Sequence, residues 1–417
     1  MINERGFKGT EYPTTYCQMW FKEQTKPLIV RVHEHKVVWK WGAGSPGYYF
    51  PTLMSCAVPK GKVPDMISLV SGPCDKATNL LKVVYEPQQL EDAPNVSSED
   101  RSLRFAICVK ALDFLYDDMS WRLIEWLELM RLLGTSKVIF YSSPMHANIS
   151  RVLQHYMEES PDFVELRPLS LGRGEPNLPH FHHYIMASNY FNTILNEMIP
   201  YNDCFYRNMY RFDYIGVFDI DEVIMPLGNV TNWTDLVTLA RTVPDYLGYT
   251  SESCQDWVSF CFRNVYYPRY ADQPKYFRQL PSFFYMLQHV KRTALHCNRF
   301  DAAKCLHSTR YAVGLHNHFA IHWTNEASCA AKSVPIEYAQ MQHYREPDNK
   351  TWLLDPVVDD NIWRFQPQLQ DRTLAKYKKL GFLPSLSELT ALKEQQRKAD
   401  EMLLQKLVGV QQSNIAA

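Results

Sequence analysis

No stretch of 18 or more apolar residues occurs in this chain, so nothing in it reads as a membrane-spanning helix. Its first residues, MINERGFKGTEYP, hold no apolar core and do not read as a signal peptide. None of the ten cysteines stands in a CxxC pair, which argues against a structural zinc knuckle. Charge of one sign is also missing. Lys and Arg number 44 against 45 Asp and Glu, for a net charge of −1, so no bulk basic field invites nucleic acid. No internal repeat is visible.

What is present is enough apolar material for a sizeable core: 417 residues, 46% of them hydrophobic, in one large or two modest domains. Two features point to the lumen of the secretory pathway rather than the cytosol. An even count of ten cysteines fits disulfide bridging. Asn-x-Ser/Thr acceptors begin at Asn95, Asn148, Asn229, Asn232 and Asn349, where chance predicts about two.

Residues 1–26 read as an N-terminal extension. Residues 27–95 read as a small β module of short strands separated by Gly/Pro-rich turns, with Cys56 and Cys74 as its internal staple. The polar stretch 88–102 reads as a linker. From residue 103 the pattern changes to buried strands alternating with amphipathic helices. LRFAICVKAL is a strand covered on both faces. SWRLIEWLELMRLLG is a helix capped by Ser120, with Leu123, Trp126, Leu127 and Met130 on one face and Gly134 at its end. KVIFYSS, ISRVLQHYMEE and DFVELRPL continue the alternation, which predicts right-handed crossovers and a parallel sheet. A His-rich loop and a helix, YIMASNYFNTILNEMI, follow. A separate short helix, NDCFYRNMYRF, capped by Asn202 or Asp203, feeds the strand DYIGVFDI. Beyond residue 250, WVSFCFRNVYY reads as a strand, LPSFFYMLQHVKR as loop then helix, and YAVGLHNHFAIHW as strand. Residues 351–417 read as a C-terminal helical extension.

The strand DYIGVFDI runs straight into Asp219, Asp221 and Glu222. Clustered acids cost free energy unless a positive object lies among them. On an extended segment the carboxylates at i and i+2 share a side. Two hard oxygen ligands at the end of a parallel strand, where open α/β sheets bind ligands, suit Mg²⁺ or Mn²⁺. Later histidines are candidates for a further ligand: His343 in QHYR first, His316 in LHNHF second, with His318 sharing its face. Charged groups near strand ends are candidates for contacting a ligand there: Lys110, Asp113 and Asp118 after the first, Asp203 and Arg207 before the fourth, and Arg345 as a site for an anion. Arg207 has a structural ion pair as its competing reading. Asp256 and Glu252, beyond the acidic motif, are candidate general bases. His182 and His183 read as loop packing.

The segments RFAICVKALDFLYDDMSWRLIEWLELMRLLG, YNDCFYRNMYRFDYIGVFDIDEVIMP, GLHNHFAIHW and MQHYRE resemble the family 92 glycosyltransferases, over roughly residues 50–345. The resemblance implies an α/β protein of GT-A type, a mostly parallel sheet flanked by helices over residues 103–350. It also implies a nucleotide-sugar donor, a divalent metal (Mn²⁺ or Mg²⁺) and Golgi residence as a type II membrane protein. Part of the family resembles β-galactosyltransferases, which implies transfer of galactose from a UDP-sugar to a glycan on a glycoprotein or glycolipid. Membrane association would come only through a segment absent from this chain. On that reading Asp221, with Asp219 on metal or ribose, holds a cation that bridges the diphosphate. A catalytically inactive GT-A-like glycan-binding or scaffold protein is the alternative. A hydrolase is disfavoured, because two acids on one strand end do not flank a sugar as glycosidase carboxylates do.

Overall fold

The computed structural model describes residues 2–3, 12–22, 24–39, 49–85, 102–171, 178–188, 190–244, 254, 256–269, 280, 283–325 and 329–383, with positions 387, 390, 394, 397 and 398. Most of the linker 88–102, the Asn95 acceptor, Glu252 and most of the helix expected for LSELTALKEQQRKADEMLLQKLV, residues 386–408, lie outside the described residues. The chain divides into two units, Met1–Leu369 and Gln370–Ala417. Helix α6, Gln366–Lys379, crosses that division.

The first unit is a mixed α/β structure built on a seven-stranded sheet. Its order is Val164–Pro168, Thr135–Ser142, Phe105–Ala111, Tyr214–Phe218, Lys304–Ser308, Trp257–Phe262, Cys329–Ser333. The first four strands are parallel, as the near-continuous apolar runs predict. Strand 304–308 then runs antiparallel to both of its neighbours. Strand 105–111 therefore sits where the order turns back. One crossover leads from it to strand 135–142 on one side, and strand 214–218 lies on the other. A crevice opens beyond the carboxyl ends of those two strands. Within strand 214–218, a Cβ on Gly216 would lie 2.7 Å from the Phe218 ring, so glycine leaves that ring its place.

Helix α1, Ser120–Leu132, buries Leu123, Trp126, Leu127 and Met130 as its periodicity predicts, and Gly134 ends it in the left-handed region at φ +96°. Ser120 is not its cap. Asp118 instead accepts the Ser120 N–H at 3.0 Å. Helix α2 spans Ala147–Glu159 and α3 Pro179–Ser188. Helix α4 is continuous over Tyr190–Asn208, through Pro200, so the expected short helix with a cap at Asn202 or Asp203 does not exist. Asn202 is buried inside α4, where it bonds the Met198 and Leu315 carbonyls and accepts the Leu315 N–H. Helix α5, Trp233–Thr242, is capped by Asn232.

The small N-terminal module is antiparallel. Its central strand, Tyr16–Trp20, pairs with Leu28–Arg31 and Met66–Val70. The module therefore begins inside the stretch read as an extension. Its staple is Cys17–Cys56, and Cys74 is a free, exposed thiol, which corrects the expected Cys56–Cys74 bridge. The module is joined to the main sheet through Val37 and Val38. His322 Nε2 lies 2.7 Å from the Val37 carbonyl, and Val38 is buried in the cluster that holds Cys108, Ile215 and Leu315. YAVGLHNHFAIHW forms a hairpin, Ala312–Leu315 with Ala320–Trp323, rather than one strand.

Candidate active site

Strand 214–218, YIGVF, is buried at every position. It must stop where the acids begin, and it stops in a tight turn. The Glu222 N–H donates to the Asp219 carbonyl at 3.1 Å, and the Asp219 N–H donates to Glu222 Oε2 at 2.9 Å. The next strand, Glu222–Pro226, pairs antiparallel with Ala339–His343, which sets Glu222 opposite His343. The Trp126 indole of α1 donates to the Glu222 carbonyl at 2.9 Å and holds the turn from behind. The acids therefore lie in a tight turn rather than on an extended segment, and both Asp219 and Asp221 line one cleft.

Their partners differ. Asp219 Oδ2 lies 3.1 Å from Lys110 Nζ, which also reaches Glu197 at 3.1 Å. Glu222 Oε2 lies 3.0 Å from Lys304 Nζ, whose side chain is 1% exposed. Burial raises the proton affinity of Asp219, but the Lys110 and Lys304 charges outweigh it and hold the carboxyl below its ordinary range. The charge problem of the motif is thus met first by the chain's own lysines. Among the described residues no lysine pairs with Asp221. Its carboxylate is 32% exposed and lies 3.6 Å from His343 Nε2.

Of these groups, Lys110, Glu197, Asp219, Asp221 and His343 line a cleft of about 450 Å³, together with Asp113, His183 and Arg345. Arg122 also lines it and stacks on Tyr285 at 3.7 Å; Arg345 stands 5.6 Å over Tyr266. Two guanidinium groups held by aromatic faces beside a carboxylate suit an anionic, metal-bridged ligand. A larger cleft of about 770 Å³ in the N-terminal module is lined by apolar side chains and Lys62, without an acid, and offers no comparable chemistry.

The structure brings together Lys110, Asp113, Asp219, Asp221, His343 and Arg345 from the candidates. Asp118 instead serves α1 and accepts the Asn148 amide at 2.6 Å. Asp203 accepts from the Tyr141 hydroxyl at 2.6 Å and pairs with Arg207 at 2.8 Å, so Arg207 does not reach Glu222. His316 is 2% exposed, packed against Trp39 and Phe319, and is not among the cleft residues. His318 contacts the Ala303 carbonyl at 3.1 Å. Burial lowers both imidazoles to about 3. Asp256 also stands off the cleft, accepting from the Tyr311 hydroxyl at 2.5 Å.

Arg122, Glu197 and Lys304 were not found by sequence reasoning. Arg122 carried a weak signal, a cation in the first turn of a helix that follows a strand end. His183, which the sequence pattern places in a packed loop, stands on α3 and lines the cleft.

Among the described residues no three acid, His or Cys side chains gather as a closed metal site. The donor set does fit a cation shared with a ligand. Asp221 and His343 could supply an oxygen and a nitrogen, and the Asp219 Oδ1 atom is buried without a hydrogen-bond partner.

Among comparisons with known proteins, the sequence model of glycosyltransferase family 92 matches residues 104–380. That span runs from the first strand of the parallel sheet to the end of α6 and includes the acidic turn. No curated protein matches the chain.

Proposed function

The chain belongs to glycosyltransferase family 92, and from that premise we propose that it is a metal-dependent transferase. On this reading it moves a hexose, galactose, from a UDP-sugar to a glycan hydroxyl on a glycoprotein or glycolipid, with inversion at the anomeric carbon. The observation that carries the reading is the division of labour in the acidic turn. Asp219 and Glu222 are neutralised by Lys110 and Lys304, while Asp221 opens into the cleft beside His343.

Asp221 and His343 would hold Mn²⁺. Bound there, the ion would offset the charge of the diphosphate and of the leaving nucleotide. Arg122 and Arg345 hold phosphate oxygens from the cleft walls. Lys110 fixes Asp219 and Glu197 so that neither repels the donor. The cysteine bridges and glycan acceptors support the Golgi lumen as the place of action. Among the described residues no helix is long and apolar enough to cross a membrane.

The test is Asp221→Asn, which removes one charge and keeps the shape. Nucleotide release from a panel of UDP-sugars with Mn²⁺ is expected to fall by at least about 10²-fold, the scale of losing one electrostatic stabiliser, with the melting curve unchanged. Calorimetric titration of UDP is expected to show binding with Mn²⁺ and its loss with a chelator. Full turnover in the variant would overturn the reading. Metal-independent or absent UDP binding by the parent chain would favour a glycan-binding scaffold.

A further inference from the structure

An inverting transfer needs a group that takes the proton of the acceptor hydroxyl, and most titratable groups on the cleft wall are already committed. Glu197 and Asp219 share Lys110, and Asp221 and His343 form the proposed metal pair. Among the described residues lining the cleft, that leaves Asp113 and His183.

These two are built as a pair. Asp113 lies just past the end of strand 105–111, and His183 stands on α3. His183 Nδ1 is 3.1 Å from Asp113 Oδ2, with side chains 27% and 17% exposed, so the pair meets solvent without being loose in it. Tyr116 stands edge-on to the imidazole at 5.2 Å, and its hydroxyl is 3.0 Å from His180 Nδ1. A carboxylate beside Nδ1 selects the tautomer in which Nδ1–H donates to it, and the basic lone pair then resides on Nε2. The neighbouring His182 is the contrast. It is 2% exposed, its Nε2 is bonded to Ser143 Oγ at 3.1 Å, and burial lowers its proton affinity.

We propose that His183, oriented by Asp113, is the general base of the transfer, an inference that rests on the inverting reading above. The acceptor oxygen bonds the anomeric carbon as the bond from that carbon to the diphosphate oxygen breaks. The electron pair leaves with the nucleotide, and the hydroxyl proton passes to His183 Nε2. Asp113 is a positioning residue: it fixes the tautomer and steadies the imidazolium.

The experiment compares His183→Ala, His183→Gln and Asp113→Asn in the full chain with the parent, using UDP-galactose, Mn²⁺ and a glycan acceptor, with melting curves for each. General-base loss predicts kcat lower by about 10²–10⁴-fold in both His183 variants, with the donor KM and the UDP affinity in Mn²⁺ unchanged. Added imidazole is expected to restore part of the rate to His183→Ala and none to Asp113→Asn. Loss of UDP binding in the His183 variants would make the pair a donor contact and overturn the proposal. So would a kcat within a few-fold of the parent. Asp221→Asn separates the two readings, because it loses metal-dependent UDP binding whatever His183 does.

Discussion

The Lys304 ammonium is 1% exposed and lies 3.0 Å from Glu222 and 2.5 Å from Asn317 Oδ1. Glu222 is 4% exposed at the side chain and in turn closes the turn of the acidic motif. Such a pair is held less by its own attraction than by the cost of leaving either member alone. Lys304→Met should therefore destabilise the fold by about 3–5 kcal/mol, the scale for an orphaned buried charge, read from urea denaturation. Adding Glu222→Leu should recover part of that loss, and an unchanged midpoint in the single variant would refute the argument. The acids themselves were legible in the sequence, because charge rarely follows a wholly apolar strand without a purpose. Their cations were not. Lys110 stands out only as the end of a strand, and Lys304 opens a segment, KCLHS, that carries no motif. Countercharge supplied from a distant element leaves no local pattern, which is why the sequence alone points to a metal as the sole neutraliser.

Between elements, Glu125 does the equivalent work for a loop. It projects from α1, and its carboxylate accepts the N–H groups of Tyr285, Met286 and Leu287 at 2.6, 3.0 and 2.9 Å. The segment LPSFFYMLQHVKR reads as loop then helix, yet residues 283–290 form turns and bends, because these donors are taken by a side chain rather than by a preceding helical turn. Tyr285 then stacks on Arg122 at the cleft. Burial raises Glu125 from 4.5 to about 7, against the pull of the three N–H groups and Arg122. A carboxyl raised on folding contributes stability that is fully present below its unfolded value, near 4.5, and lost as pH rises through 7. That difference corresponds to about 3 kcal/mol. The urea-midpoint gap between the parent and Glu125→Gln should therefore shrink from pH 4.5 to pH 7.5, and a gap independent of pH would contradict it. The same limit on local pattern explains α4. Its two halves read as separate helices because Pro200 is a breaker, but one missing hydrogen bond does not end a helix that packing supports on either side. The parallel strands, by contrast, were plain in the sequence, since burial on both faces writes itself as an unbroken apolar run.

Across the whole chain, four bridges cross distances that spacing does not reveal. Cys108–Cys204 ties strand 105–111 to α4, and Cys261–Cys305 ties two neighbouring strands; Cys17–Cys56 and Cys254–Cys329 complete the set. Ten cysteines admit too many pairings for sequence to choose among them, and patterning starts the N-terminal module at residue 27, which leaves Cys17 outside it and hides the Cys17–Cys56 staple. Two thiols are left, Cys74 exposed and Cys297 buried. The glycan acceptors divide in the same way. Asn229 and Asn349 lie exposed, whereas the Asn148 amide bonds Asp118 and the Asn232 amide bonds Asp235 at 2.7 Å. If the protein works in an oxidising lumen, the bridges should be formed in material secreted from cells. Alkylation without reductant should then label Cys74 in the native protein and add only Cys297 after unfolding, as read by peptide mass. Reduction should lower stability by about 2–4 kcal/mol per bridge. More than two labelled cysteines in the unfolded, unreduced chain, or a Cys56–Cys74 peptide, would break the link between this fold and that compartment, and the case for action on luminal glycans would lose its second support.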